Sequence, residues 1–179
     1  VLKAAERLDL KPFGPADEID VKPDGEIVAK DSPRGQRRGI YLQQRRSKPL
    51  TLFEAFDAPQ LKPNCLRRTK STVASQALQM MNSEILRTNS RYMAGRIIDA
   101  VGEDPAALVE RVYLTALGRP PAAEERTDGV STLTEMTKAW GRRLEEQVPM
   151  EPKRMKARWL ALAALCHTVL NSAEFLYID

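Results

Sequence analysis

The side chains best suited to covalent or acid–base chemistry are few, and two of them are adjacent. Cys166 directly precedes His167, which is the single histidine of the 179-residue chain. Neighbouring residues on a helix point about 100° apart, so this thiol and this imidazole cannot share a proton as a Cys–His nucleophile does. The pair also matches the end of the CxxCH motif of c-type haem attachment, but Ala163 occupies the first cysteine position. We therefore predict that His167 is a partly buried, hydrogen-bonded helix residue without a catalytic role.

Other chemical motifs are weak or missing. The sequence contains no GxGxxG, GKS, GKT or HExxH, the signatures of phosphate-binding loops and of the zinc-protease helix. One histidine and two cysteines leave too few ligands for most zinc sites. Paired carboxylates occur only as sequence neighbours, for which helix capping and solvation are sufficient reasons. They are Asp17-Glu18, Glu103-Asp104, Glu124-Glu125 and Glu145-Glu146. We predict no catalytic residue, no metal site and no cofactor in this chain.

Positive charge is concentrated in one stretch. Residues 30–70 contain eleven basic and three acidic residues and so carry +8, while the whole chain carries +4 and the remainder therefore −4. The clusters are Arg37-Arg38, Arg45-Arg46 with Lys48, and Arg67-Arg68 with Lys70. Clustered cations neutralise phosphates or sulfates, so this stretch is compatible with an acidic polysaccharide and, less favourably, with nucleic acid. The alternative is that the arginines pair with carboxylates of the same fold.

For Arg67 and Arg68 we predict the structural alternative. Both residues precede a predicted helix N-terminus, where exposed cations are unfavourable, and no aromatic residue lies within five positions. A guanidinium that is hydrogen-bonded to carboxylates or to carbonyl groups cannot also lead a phosphate contact. Any salt-sensitive polymer binding would then fall to the lysines and to Arg45 and Arg46.

The first 48 residues predict a small sheet. Residues 1–9 have the apolar spacing of a helix end. Residues 17–30 alternate around a Pro-Asp-Gly turn, as a hairpin does, and residues 37–45 have the pattern of a third strand. We expect a hairpin or three-strand antiparallel sheet, followed by a basic loop.

From residue 49 to residue 179 the apolar period becomes helical. A short helix follows Pro49, a break with a new N-cap is expected at Asn82-Ser83, and Pro105 and Gly118 bound a further helix. Helices are also predicted after Pro121 and over 153–171. The prediction is a mainly α, bundle-like core in one compact domain, with Tyr113 and Trp159 buried.

No apolar stretch is long enough to span a membrane, the longest being the one from Trp159 to Leu170. Because the chain starts at Val1, we expect it to be part of a longer protein. Cys65 and Cys166 are compatible with two free thiols or with one disulfide, and the sequence does not decide between them.

Four stretches occur in a recognisable order and spacing. They are RRGIYLQQRRSKPLTLFEAFDAP, NCLRRTKSTVASQALQMMN, VYLTALGRPPAAEE and CHTVLNSAEFLYID. Together they resemble the planctomycete-specific domain of unknown function at the C-terminal end of large cytochrome-c-associated proteins. One departure is Ser75, which stands where that family usually has a proline before the QAL triplet.

The motif positions and the basic clusters together supply the candidate binding residues. These are Arg45, Arg46, Arg67, Arg68, Thr72, Gln76, Asn82, Arg119, Asn171 and Glu174. At several of these positions a structural role is an alternative to binding, since an asparagine such as Asn82 can cap a helix.

The resemblance implies an extracytoplasmic protein, periplasmic or on the cell surface, with a cytochrome-like domain upstream that would hold haem c. It implies no activity. We therefore expect a non-catalytic interaction or structural module whose partners are the upstream domains of its own polypeptide. The alternatives are a module that binds an anionic polymer, and an accessory domain that completes a hydrolase or redox site in the parent protein.

Overall fold

The computed structural model describes residues 1–30, 36–45, 47–58, 73–147 and 153–177, and it divides into two compact units. The N-terminal unit comprises Leu2 and Arg7–Asn82. The helical unit comprises Val1, Lys3–Glu6 and the residues from Ser83 onward. The division falls at the break between two helices that the polar Asn82-Ser83 pair predicts.

The N-terminal unit contains the predicted hairpin. Strands β2 (Ile19–Val21) and β3 (Ile27–Ala29) pair in antiparallel register, with Ile19 opposite Ala29. Gly25 adopts a φ of +87° in the connecting turn, a conformation that glycine reaches without steric cost. Val28 and Ala29 are buried, which fixes the inner face of the hairpin.

Two predictions for this unit are wrong. Residues 1–9 are not a helix end, because the chain turns and Leu8–Asp9 form strand β1, which pairs in parallel with β4 (Gln36–Arg37). The expected third antiparallel strand is absent from the described residues, and Gly39–Tyr41 instead form a short 3-10 helix. A Cβ on Gly39 would lie 2.5 Å from the ring of Phe53, so the chain bends at a residue without a side chain.

The described part of the N-terminal unit also contains the helices α1 (Thr51–Ala55) and α2 (Val73–Asn82). The Thr51 hydroxyl accepts the Ile27 backbone N–H at 2.9 Å, and the Gln79 amide donates to Glu26 Oε1 at 3.0 Å. These two bonds join both helices to the hairpin. The predicted helix after Pro49 is confirmed.

The helical unit follows the predicted segments closely. It contains α3 (Glu84–Val101), α4 (Pro105–Leu117), α5 (Ala123–Gln147), α6 (Lys153–Leu170) and α7 (Ala173–Leu176). Ser83 caps α3 by accepting Leu86 N–H, and Asp104 caps α4 by accepting Ala107 N–H. Gly118 ends α4 in the left-handed conformation. Among the described residues the fold is mainly α with minor sheet pairs, as predicted.

Helix α6 forms the centre of this unit. It packs against α3, α4, α5 and α7. The buried residues among its described side chains are Ala157, Ala161, Leu162, Ala163, Leu165, Cys166, Val169 and Leu170. Fully buried Leu86, Met93, Leu108 and Leu133 from the surrounding helices complete the core. None of the described helices combines the length and apolarity that crossing a membrane requires.

The two aromatic residues expected in the core are only half-buried. Trp159 donates its indole N–H to the Arg91 carbonyl at 2.9 Å, beside Gly95. A buried indole N–H needs a hydrogen-bond acceptor. The bond to Arg91 in α3 provides one and holds the half-buried ring of Trp159, in α6, against α3. Tyr113 likewise lies at the end of the bundle, near Arg119.

Two glycines of α5 give a matched stability test. A Cβ on Gly129 would lie 2.8 Å from Cγ1 of the fully buried Val109, whereas nothing lies within 4 Å of a Cβ on Gly141. Gly141→Ala is expected to raise the free energy of unfolding by about 1 kcal/mol through helix propensity. Gly129→Ala is expected to lower it by about 1 kcal/mol, since overpacking costs about 1–3 kcal/mol and exceeds that gain.

Chemical denaturation of both variants measures this difference. Equal stabilisation by the two alanines would contradict the close approach of α5 to α4.

Candidate functional site

A cluster of charged side chains in the helical unit is centred on Arg119, which forms ion pairs with two carboxylates. Gly118, with a φ of +73°, ends α4 and turns the chain, and Arg119 then lies in the short link before α5. Glu125 comes from the first turn of α5 and Glu174 from α7. We call these three residues the Arg119 clamp.

All five N–H donors of the Arg119 guanidinium are used in this clamp. Glu174 accepts from Nε at 2.6 Å and from Nη2 at 2.7 Å. Glu125 accepts from Nη1 at 2.7 Å and from Nη2 at 2.9 Å. The fifth bond runs from Nη1 to the Pro120 carbonyl at 3.1 Å. Two bidentate carboxylates on one guanidinium are among the strongest charge-assisted arrangements.

The clamp changes the titration of its members. Hydrogen bonds from Arg119, and then from the Ala122 backbone N–H, lower the pKa of Glu125 from 4.5 to about 2. The hydrogen bond from Arg119 also lowers the pKa of Glu174. Tyr113, whose ring lies 5.7 Å from the guanidinium carbon, has a raised pKa because of burial and then of the Glu125 charge. All three groups therefore keep their ordinary charge at neutral pH.

The clamp has no free donor with which to hold an anion. A substrate carboxylate or phosphate would have to displace Glu125 or Glu174. The geometry instead joins the end of α4, the start of α5 and α7. We interpret Arg119 and Glu174 as structural residues of the C-terminal helices.

A second arginine centre lies in the N-terminal unit. The Arg37 side chain, 8% exposed, donates to both carboxylate oxygens of Asp17 at 2.8 and 2.9 Å. It also donates to the carbonyls of Phe13 at 2.8 Å and Pro15 at 2.5 Å, and it lies 4.8 Å from the Tyr41 ring centroid. We call this arrangement the Arg37 centre. It fixes the loop between β1 and β2.

The pKa values at the Arg37 centre agree with its geometry. The Arg37 hydrogen bond lowers the pKa of Asp17, and the same bond raises the pKa of Arg37. Arg37 belongs to the basic stretch that predicts polymer binding, yet its donors face this chain's own groups. Arg37 therefore follows the alternative in which an arginine of this stretch pairs with a carboxylate of the same fold, here Asp17.

Three candidate residues of the N-terminal unit have different environments. Gln76 is 8% exposed. Asn82 is exposed as the last residue of α2, and Ser83 caps α3 in its place. Arg45 is exposed and forms an isolated antiparallel bridge with Lys48. The structure therefore does not bring these three together as a site.

Four candidates, Arg46, Arg67, Arg68 and Thr72, lie outside the described residues. The structural role predicted for Arg67 and Arg68 stays a prediction. Cys65 lies outside them as well.

Asn171 and His167 lie at the C-terminal end of α6. The Asn171 amide donates to the His167 carbonyl at 2.7 Å, while Asn171 Oδ1 and His167 Nε2 are buried without a hydrogen-bond partner among the described residues. The hydrogen bond predicted for His167 is therefore not made at Nε2. Burial, and then the Arg87 charge, lower the pKa of His167, so the imidazole is neutral at pH 7.

Cys166 is fully buried and its thiol is free. Burial raises the pKa of this thiol, so it is protonated at neutral pH. A protonated thiol is a poor nucleophile, which agrees with the helical spacing argument. No group of three His, Cys, Asp or Glu side chains in the described part of the chain is placed to hold a metal ion.

Sequence reasoning missed two members of these clusters. Helix capping and solvation are sufficient reasons in the sequence for Glu125, which follows Arg119 by 6 positions across two prolines. The same reasons suffice for Asp17. Its partner Arg37 is 20 positions away, and no local pattern indicates that pairing.

The described residues are mainly helical, and two of their arginines, Arg37 and Arg119, bind carboxylates of the same chain. The model of the PSD1 family, described as a protein of unknown function (DUF1553), matches residues 1–133. The chain belongs to this family. The match includes Arg37, Arg119 and Glu125 and ends before Glu174. Neither the curated proteins nor the solved structures contain a match.

The Arg119 clamp predicts a specific pH dependence of stability. Because the pKa of Glu125 falls from 4.5 to about 2 on folding, its stabilising effect is complete above pH 4.5 and is lost as the pH falls towards about 2. Arg119→Gln should lower the melting temperature by several degrees at neutral pH. The difference in melting temperature between Arg119→Gln and the parent chain should become smaller as the pH falls below 4.5.

Melting curves across this pH range provide the measurement. Arg126→Gln is the matched control, because Arg126 and Glu110 form a single exposed pair on the same helices and should matter little at any pH. Parallel pH profiles for the parent chain and Arg119→Gln would contradict the clamp.

Proposed function

We propose that this chain is a non-catalytic interaction and structural module of a larger protein. In this proposal the larger protein is extracytoplasmic and cytochrome-associated, the haem c belongs to a domain upstream, and the partners are the upstream domains of the same polypeptide. The resemblance to planctomycete-specific domains suggests this setting, and membership of a family of unknown function is compatible with it.

The observation that carries the proposal is the saturation of Arg119. Arg119, Glu125 and Glu174 hold the end of α4, the start of α5 and α7 together, and all five guanidinium donors of Arg119 have partners within the chain. A catalytic or anion-binding arginine needs donors that face a substrate. The neutral imidazole of His167 and the protonated thiol of Cys166 likewise suit packing better than catalysis.

Binding of an anionic polymer is the second candidate function. It is favoured by one observation, the exposure of the cationic residues Arg38, Arg45 and Lys48 in the N-terminal unit. These side chains belong to the basic stretch and lie within a segment of eleven residues. Charge of this kind gives polymer affinity that falls steeply with salt.

Calorimetric titration distinguishes the two candidates. The 179-residue chain is titrated with the separately expressed upstream part of its own polypeptide, and in parallel with heparin and with duplex DNA over a range of salt concentrations. The interaction module predicts saturable binding of the upstream part that hardly changes when Arg45 and Lys48 are both replaced by alanine.

The polymer function predicts the reverse result. Heparin would bind tightly at low salt, the double alanine variant would lose at least about tenfold in affinity, and the upstream part would give no heat. That outcome would overturn the proposed module. Turnover of a substrate only when the two parts are mixed would instead support an accessory role in an enzyme.

A further inference from the structure

A loop of the N-terminal unit exposes a large aromatic side chain in an unusual backbone conformation. Phe13 is 80% exposed, and its φ is +59°, in the left-handed region that bulky residues rarely adopt. Gly14 follows with a φ of +88°. Such a conformation persists only where the surroundings determine it, and here Arg37 holds the carbonyls on either side of Gly14, those of Phe13 and Pro15. The fold thus uses a buried guanidinium to hold a phenyl ring in solvent.

Two more apolar side chains are exposed next to the same centre. Leu10 is 67% exposed and directly follows β1, and Ile40 is 82% exposed in the 3-10 helix that follows β4. Strands β1 and β4 pair with Asp9 opposite Arg37. The segments that carry Leu10, Phe13 and Ile40 therefore all lie next to Arg37. We call these three side chains the apolar tip.

The charge beside the apolar tip is positive. Lys11 and Arg38 are both exposed and lie one or two positions from its members. Of the nearby carboxylates, Asp17 is paired with Arg37, and Glu18 is paired with Lys30 at 2.8 Å. Asp9 is half-buried and accepts the Lys11 backbone N–H at 2.9 Å. Exposed apolar side chains with flanking cations are the combination that binds an anionic lipid surface.

We propose that the apolar tip inserts into the headgroup region of an anionic lipid bilayer, with Lys11 and Arg38 contacting lipid phosphates. Each apolar side chain contributes by leaving water, and each cation contributes through attraction to the surface. The fixed loop lowers the conformational cost, because Phe13 is already held outward before contact. This inference is independent of the proposed interaction with upstream domains.

Co-sedimentation with vesicles tests the proposal on the full 179-residue chain. The probes are vesicles of phosphatidylcholine alone and of phosphatidylcholine mixed with phosphatidylglycerol. The parent chain should bind the mixed vesicles and should bind phosphatidylcholine much more weakly, and added salt should reduce binding.

Phe13→Asn is the central variant, because asparagine tolerates a positive φ and lacks the apolar ring. It should keep the parent melting temperature and lose at least about tenfold in vesicle affinity. Ile40→Asn should act in the same direction. Leu78→Asn is the matched control, since Leu78 is 61% exposed on α2, a helix without any charged residue, and its loss should leave vesicle binding unchanged.

Three outcomes would overturn the proposal. The first is no binding of the parent chain to mixed vesicles, in which case the apolar tip would have to meet a protein instead. The second is unchanged binding by both Phe13→Asn and Ile40→Asn. The third is an equal loss in Leu78→Asn, which would mean that general hydrophobicity rather than this loop determines binding.

Discussion

Burial of helix α6 is the constraint on which the helical unit depends. Eight of its described side chains are buried, and α6 packs against α3, α4, α5 and α7, so the positions of those helices follow from covering it. The small side chains of Ala157 and Ala161 are buried in this packing, and Gly129 permits a close approach of α5 to Val109. Close packing of this kind loses stability when a side chain is added or removed, because the interior has no spare volume.

Burial in this packing determines the protonation of the thiol and the imidazole of α6. Cys166 is fully buried and protonated, and His167 beside it is neutral because burial disfavours its charged form. The unpartnered Asn171 Oδ1 and His167 Nε2 lie at the same end of the helix. Because α6 is covered on several sides by apolar side chains, its polar groups have few hydrogen-bond partners. Asn171 Oδ1 and His167 Nε2 are left without one among the described residues.

Two arginines organise the parts of the structure that apolar packing does not fix. Arg119 joins the end of α4 and the start of α5 to the four-residue helix α7, none of whose residues is buried. Arg37 does the same for the loop that carries Phe13, in a unit whose strands are only two or three residues long. In both places a planar guanidinium with five donors holds several irregular segments at once, which one apolar contact could not do.

The sequence by itself determined the helices and their ends. The apolar period, Ser83, Asp104, Pro105 and Gly118 are local signals, and each acts within one turn of the residue that carries it, so the mainly α fold was predictable. The hairpin around Gly25 was predictable for the same reason.

Only the tertiary structure decided which charges are bonded and where the short strands pair. Arg119 and Glu174 are 55 positions apart, and Arg37 and Asp17 are 20 apart, so their contacts depend on how the elements pack. Where a strand is expected at residues 37–45, Gly39–Tyr41 form a 3-10 helix, with Gly39 against the Phe53 ring. Where the end of a helix is expected at residues 1–9, Leu8–Asp9 pair in parallel with β4. The residue pattern of a helix or strand determines which of its faces is apolar. A contact between segments that are distant in sequence forms only when the core packs and brings those two segments together.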